Sequence, residues 1–422
     1  MKIRVNHSFF MTIGLILLLV AGNYWGIAQF MMSFNMRLLF LILSGALPLL
    51  VPLYYKKSVF VIPWILCFLW VILNRNQEFA NGGYYSTYRL IASYLFIFSS
   101  VKSYDWIKNA PKIIAAVGAA NVVATLLFFV NNGLYQTFIS MTYKSYQNGT
   151  QGGLYGYRAA LAAHYSQNGS YITIVLLAVW AVYFCMKNTE KKKKLLLGFG
   201  IATCIALLLT SKRAHLLFGI ATLIIVYYVV NPQKRVQRSF KLMLGAVVAI
   251  VLLNVLIDYI PEISQVFERF QTAGSDNASL ARFLMWDRAF SIFSQNPLLG
   301  IGWYGFRYKS GLSEFTGATA GCHNIYLELL CEIGLIGFLI FIFVMGSSLI
   351  LTLKNINQTY GIDDKTIEHI RWALAVSFAI QFFVLLYGFT GNPLYDDTFC
   401  FYSAAVAINV SFSTGMRGRE EK

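Results

Sequence analysis

This chain is poor in charge. Only 12% of its 422 residues are Asp, Glu, Lys or Arg, with 18 acids against 34 bases. Soluble domains carry about 25%, so a soluble fold is excluded. Cysteine is also sparse, at six. Cys67, Cys185, Cys204 and Cys400 lie in apolar runs, and no CxxC occurs. Cys322 and Cys331 are too far apart along one helix to bridge. Cys322 beside His323 makes a poor metal pair, so neither a disulfide framework nor a zinc site is expected. The segment Gly302-Trp303-Tyr304-Gly305-Phe306-Arg307 has no strand before it and no Lys-Ser/Thr, so it is not a phosphate-cradling loop. It reads instead as a turn whose aromatics, Trp303 among them, line a substrate cleft. The second long loop, 259–323, also lacks a paired-carboxylate signature with clear spacing and a DxD motif. Asp276, Asp287 and Glu314 are scattered, and Asp396-Asp397 stands alone on another loop. Chemistry without metal or cofactor is the simplest expectation.

What the chain has in quantity is apolar surface, 57% of residues, with 26 Tyr and 8 Trp. The apolar residues fall in runs of roughly 17–25, the length that crosses a bilayer as a helix. The runs predict an all-α, polytopic integral membrane protein forming one membrane domain over 1–422. About twelve spans are expected, near 8–24, 36–54, 58–74, 87–101, 111–131, 169–186, 194–210, 214–230, 241–258, 324–353, 371–389 and 398–414. The first follows Met1-Lys2-Ile3-Arg4 without a clear small-residue cleavage site, so it is read as a retained span rather than a signal peptide. Interfacial belts account for many of the Tyr and Trp, which also offer stacking surfaces for sugars.

With twelve spans, 22 of the 34 basic residues fall on the side of the two termini and 12 on the other. Lys191 to Lys194 and Lys234-Arg235-Val236-Gln237-Arg238 are the strongest of these anchors. Basic residues mark the cytoplasmic side. Both termini are therefore expected in the cytoplasm, and the formal charge of +16 reports topology rather than nucleic-acid binding.

Two long loops face outward, 132–168 and 259–323, and loops of that length are usually functional. The first is rich in Gly, Tyr and Asn and contains Gly149-Thr150-Gln151-Gly152-Gly153 and Arg158. In the second, Pro261 opens a short piece, Glu262 to Gln271, broken by Ala273-Gly274-Ser275-Asp276-Asn277. Ser279 then reads as the N-cap of a short amphipathic helix from Leu280 to about Ser294. Arg282, Trp286, Ala289 and Phe293 share one face of it, and Asn296-Pro297 stops it. The loop ends at His323-Asn324, at the mouth of a membrane helix. Histidine takes a proton near neutral pH, and this one can reach a polar head group and a lipid tail together. Such placement points to an enzyme acting on a lipid-linked polar substrate.

The ordered set Arg282, Trp286, Asn296-Pro297-Leu298-Leu299-Gly300-Ile301-Gly302-Trp303, His323-Asn324, Glu332, Gly334 and Gly337 resembles the bacterial O-antigen ligase and polymerase family. The likeness covers roughly residues 205–345. Ser211-Lys212-Arg213 fits the basic hairpin of that family, and Asn168 after Arg158 resembles a weaker upstream element. The resemblance implies glycan transfer from a polyprenyl-diphosphate-linked donor at the outer face of the inner membrane. The acceptor would be a glycan or a lipid-linked group, and a chain-length regulator and a flippase of the same route are candidate partners. The residues supply the parts. Guanidinium pairs with phosphate oxygens, which suits Arg213 and Arg282. A sugar hydroxyl needs a positioned base, which suits His323. The acceptor hydroxyl then attacks the anomeric carbon, with inversion and departure of the lipid diphosphate. Asn324, Arg288, Trp286, Arg158, Asn168 and Trp303 are the expected substrate-binding residues.

Plainer roles compete. A histidine at a helix mouth is ordinarily a solvated cap, and Lys212-Arg213 ordinarily a turn with snorkelling cations. His164 is by default a surface residue and His215 a packing one. Glu332, about 13 Å below His323 along a continuous helix, is a poor direct partner for it. It is as well explained by a buried hydrogen bond as by function. A polymerase of lipid-linked repeat units is preferred over a ligase moving a finished glycan to lipid A-core or protein, because the first loop offers room for a second chain. A transporter is the distant alternative, since the spans read as almost free of charge.

Overall fold

The computed structural model describes residues 7–23, 34–50, 58–74, 80–102, 105–141, 156–162, 164–186, 191–230, 233, 235–259, 264, 268, 271, 274, 277–311, 321–362 and 364–420. These residues form helices and turns, with no strand among them. In chain order the helices are α1 (His7–Asn23), α2 (Phe34–Leu50), α3 (Ile62–Leu73), α4 (Ala80–Ser99), α5 (Ala110–Val130), α6 (Asn132–Ser140), α7 (Tyr165–Cys185) and α8 (Lys191–Leu209). They continue as α9 (Arg213–Val229), α10 (Arg235–Tyr259), α11 (Asn277–Gln295), α12 (Phe306–Lys309), α13 (Ile325–Gln358), α14 (Lys365–Tyr387) and α15 (Thr398–Glu420).

A helix lies over each of the twelve apolar runs. Among the described residues, four are both long and apolar enough to cross a membrane: α5, α7, α13 and α14. Others fall short for local reasons. Helix α3 has only 12 residues, with Pro63 in its first turn and Asn74 closing its end.

Helix α7 is the buried centre, enclosed by α5, α8, α9 and α14. Apolar side chains such as Leu66, Leu127, Ile220 and Phe343 stand on the outside, a surface suited to acyl chains. Between α13, α14 and α15 the packing is joined by hydrogen bonds. Ser348 Oγ contacts Gln381 Oε1 at 2.8 Å, Gln381 Nε2 donates to Thr352 Oγ1 at 2.9 Å, and Asn355 Nδ2 donates to Asn409 Oδ1 at 2.5 Å. Polar contacts of this kind hold helices together where lipid removes the hydrophobic drive.

The spans are less free of charge than the sequence suggested, and Asp397 does not stand alone. Arg37 of α2 and Arg89 of α4 both donate to Asp397 Oδ1, at 2.8 and 3.0 Å, with all three side chains buried. Arg37 Nε also donates to Ala21 O at 2.7 Å, and Tyr171 of α7 donates to Gly22 O at 2.7 Å. This cluster joins α1, α2, α4, α7 and the start of α15.

Of the first long loop, α6 and a 3-10 turn at Gly156–Ala159 are described. The Gly149–Gly153 stretch, most of Glu262–Gln271, Asp276 and Glu314 lie outside the described residues. The loop helix α11 begins at Asn277, two residues before the predicted cap. Ser279 is therefore inside the helix, where its Oγ accepts from Gly274 N at 3.3 Å.

Candidate functional site

The site is built on a break in α13. Gly334 has φ 65° and ψ −178°, a backbone region essentially reserved for glycine. The break strands backbone groups that a helix would pair with one another, and each must find a partner in an apolar medium. The Pro297–Gly302 turn supplies most of them. Ile301 N donates to Cys331 O at 2.9 Å and Gly302 N to Glu332 O at 2.8 Å. In return Leu335 N donates to Pro297 O at 2.8 Å and Ile336 N to Leu298 O at 3.4 Å. Trp70 Nε1, from α3, donates to Ile333 O at 3.2 Å. Two backbones can approach this closely only where side chains are missing, which explains the Gly300–Gly334 pair. A Cβ on Gly300 would lie 2.6 Å from Glu332 O.

Glu332 stands just before the break and is fully buried. Its carboxylate accepts from Tyr304 N at 2.8 Å, Phe306 N at 3.0 Å and the Tyr395 hydroxyl. It fixes the turn rather than touching His323. Trp303 is buried in the same knot, stacked on Tyr395 at 4.5 Å between ring centroids. That corrects its expected place in an open cleft: the ring finds a better partner in Tyr395 of the 388–397 loop.

Helix α11 lies over this platform. Met285, Trp286, Ala289 and Phe293 pack with Phe306, Cys322, Leu327 and Cys331, on the apolar face that the spacing predicted. The Trp286 indole donates to Cys322 O at 3.1 Å, so it fastens the strand of chain leading to His323. Asn324 is the N-cap of α13, its Oδ1 accepting from Tyr326 N at 3.1 Å and Leu327 N at 3.3 Å. Its side chain is thus engaged in placing the histidine.

His323 itself is held at φ +54°, uncommon for a side-chain-bearing residue. Ser211 (φ 56°) and Tyr304 (φ 67°) share that conformation. Ser211 precedes Lys212 and Tyr304 lies three residues before Arg307, so strained backbone gathers at this site. His323 is exposed, while the protein around it still strips hydration from the ring. Loss of hydration is the largest cause that lowers its pKa, followed by Arg282, Lys212 and Arg307, which bring it to about 4. All four causes act in one direction, so the imidazole is neutral at pH 7. His164, the N-cap of α7, is also lowered to about 4, by burial, then Lys212 and then His323. Lys212 Nζ sits 3.8 Å from the Tyr165 ring centroid. His323, Arg282, Lys212, Arg307 and His164 therefore converge. The electrostatic balance is cationic around a neutral base.

The other expected residues spread out. Arg213 opens α9 one position after Lys212 and is half-buried. Asn168 is fully buried and donates to Thr125 Oγ1 at 2.9 Å and Arg158 O at 2.8 Å. It anchors the turn that carries Arg158 rather than meeting solvent. Arg288 donates to Ser310 O at 3.0 Å and lines a separate cleft of about 300 Å³ with Gln295, Asn296 and Lys309. Sequence reasoning alone gives Lys212 and His164 little weight, and Arg307 and Glu328 no role. The signals are nonetheless present: Lys212 adjoins Arg213, and Glu328 is one turn inside the helix that His323 precedes.

In comparison with known families, residues 197–342 match the family described as O-Antigen ligase. That stretch holds Lys212, Arg213, Arg282, the turn, His323 and the break at Gly334, but not Arg158 or Asn168. No curated protein matches the chain.

Proposed function

From the match of residues 197–342 to the O-antigen ligase family, we propose that the chain is a membrane glycosyltransferase that polymerises polyprenyl-diphosphate-linked oligosaccharide repeat units at the outer face of the inner membrane. One observation supports this most: a neutral histidine on a strained turn, faced by three cations. His323 takes the proton of the acceptor hydroxyl as that oxygen bonds to the anomeric carbon. The bond from that carbon to the diphosphate oxygen breaks, and the lipid diphosphate leaves into the field of Arg282 and Lys212, with Arg213 beside them. The anomeric centre inverts. No step calls on a metal or a cofactor.

A ligase carrying the finished glycan to lipid A-core or to a protein would use the same donor and the same residues. The preference for a polymerase rests on the size of the first outer loop. The broken α13 is a feature that transporters also use, but here the ionisable groups gather at its outer end and the break is locked by a loop turn. In this reading the chain crosses twelve times with both termini in the cytoplasm, which the excess of Lys and Arg on the terminal side supports, and His323 lies outside.

Purified protein in lipid, given lipid-linked repeat units and no other acceptor, tests the reading. A ladder of multiples of the repeat, missing for His323→Ala, is the expected result. Substrate returned at its original size would reject the polymerase and leave the ligase, tested by adding an acceptor, or a transporter.

A further inference from the structure

We propose that Arg307 is a further diphosphate-binding cation of this site, and that Glu328 is the positioning residue that holds Arg307 and the His323 turn together. The proposal rests on the glycan-transfer reading for its ligand but not for its geometry.

Glu328 is completely buried on α13, one turn inside the helix mouth. A buried carboxylate is costly unless its oxygens are committed. Glu328 Oε2 accepts Cys322 N–H at 2.9 Å, on the residue next to His323. Oε1 faces Arg307 Nε at 4.0 Å. One oxygen of the carboxylate thus bonds the strained turn, while the other faces the cation without a hydrogen bond. Gly321 makes room for this convergence. A Cβ there would lie 3.2 Å from Glu328 Oε2, 3.3 Å from Arg307 Nη2 and only 2.1 Å from Asn392 Nδ2.

Arg307 differs from an ordinary buried partner of a buried acid. Its side chain is 31% exposed while that of Glu328 is 0% exposed. Its Nε edge therefore faces the buried acid while part of the side chain is exposed. Its Cζ lies 5.1 Å from the Tyr304 ring centroid, so the guanidinium is held against a fixed surface. A planar, pre-oriented guanidinium open on one side is the group best suited to two phosphate oxygens. Arg307 also acts on His323 in the same sense as Arg282 and Lys212. A plain structural ion pair would need neither the exposure nor the nearness to His323.

The test uses the full chain in lipid nanodiscs with isotope-labelled histidine, and variants Arg307→Gln, Glu328→Gln, their double, and Arg307→Lys. Glu328→Gln keeps an acceptor for Cys322 N–H and removes only the charge. The charged or titratable groups coupled to His323 are Arg282, Lys212, Arg307 and His164. Arg307→Gln removes one cation, so the NMR-measured pKa of His323 should rise. Glu328→Gln, by releasing Arg307, should weaken binding of the diphosphate probe as Arg307→Gln does, and the double variant should lose no more affinity than Arg307→Gln alone. Arg307→Lys should keep the pKa low. Geranyl diphosphate, as probe, should bind wild type and lose about tenfold in affinity with Arg307→Gln and with Glu328→Gln.

An unchanged His323 pKa and unchanged probe affinity in Arg307→Gln would overturn the assignment of Arg307. Additive effects in the double variant would overturn the role of Glu328. If Glu328→Gln does not fold, Arg307→Gln and Arg307→Lys still decide the first half, and Glu328→Asp, which restores the charge, decides the second. Wild type that ignores geranyl diphosphate while the histidine pKa values move as expected would instead sink the transfer reading and keep the geometry.

Discussion

Substituting Gly334 by alanine should destabilise the fold far more than its place in a long apolar helix suggests. The backbone there is at φ 65°, ψ −178°, a conformation that costs a side-chain-bearing residue about 1–3 kcal/mol. The added Cβ would also lie 2.2 Å from Leu298 O and 2.6 Å from Leu299 C. Both atoms are backbone and cannot swing aside. Relief requires the Pro297–Gly302 turn to lift, which gives up Leu335 N to Pro297 O and Ile336 N to Leu298 O. At about 1 kcal/mol each, these bring the total to about 3–5 kcal/mol. Gly346, on the same helix, is the control, since a Cβ there would meet nothing within 4 Å. Alanine at that position should stabilise by about 0.5–1 kcal/mol through helix propensity. The assay is reversible unfolding in mixed micelles of both variants beside wild type. Equal effects at the two positions, or a loss at Gly334 below about 1 kcal/mol, would refute the account of the break.

His323→Ala should abolish product formation, and Arg282→Lys should impair it severely, with protein levels unchanged in membranes for both; normal ladders from the two would reject the site while leaving the family in place. Because the pKa of His323 falls from 6.5 to about 4, the base stays neutral down to mildly acid pH, and its contribution to the rate should be lost only as pH falls through about 4. The same shift gives a sign for stability: between pH 6.5 and about 4 the unfolded chain takes up a proton that the folded one refuses, so this residue favours the fold less as pH drops, readable as an unfolding midpoint compared with His323→Gln. Asp397→Asn would leave two buried guanidiniums without their counter-charge and should cost about 3–5 kcal/mol; an unfolding midpoint matching wild type would show that Arg37 and Arg89 do not depend on it.

The helices are legible because bilayer length and apolar runs are read directly from sequence, and the α11 face is legible because spacing fixes which residues share a side. Arg282 and Trp286 can therefore be placed on one face from sequence alone, whereas His323 joins them only through the family resemblance. What spacing cannot report is a contact set by tertiary folding. Arg37 and Arg89 meet Asp397 across 360 and 308 residues, so each looks like an isolated charge. Trp303 points to a cleft because an aromatic in a glycine-rich turn can face either way, and only Tyr395 decides it. Lys212 and Arg213 are adjacent and chemically alike. Which of them acts on both histidines depends on how the hairpin seats against α7, and there Gly169 packs against the Lys212 stem, its Cβ position 3.3 Å from Lys212 Cγ.

The break in α13 and the acid beside it explain why a site at a helix mouth can be rigid. A helix end alone fixes its first residues weakly, since its leading N–H groups lack helical partners. Here the end is tied three times: by Asn324 as cap, by Ile325 N donating to Gly388 O at 2.8 Å, and by Glu328 accepting from Cys322 N. One further turn inward, Glu332 binds the 304–306 backbone and Tyr395. Tyr395 O in turn accepts from Arg89 of the Asp397 cluster. A continuous set of bonded groups thus runs from the α1–α2–α4 side of the bundle to the turn before His323. Glu328 and Glu332, the two acids in this set, are fully buried and so keep their partners away from water. The turn that carries His323 is consequently set before any substrate arrives, and under the proposed glycan transfer such a preset turn would stabilise developing charge without reorganisation.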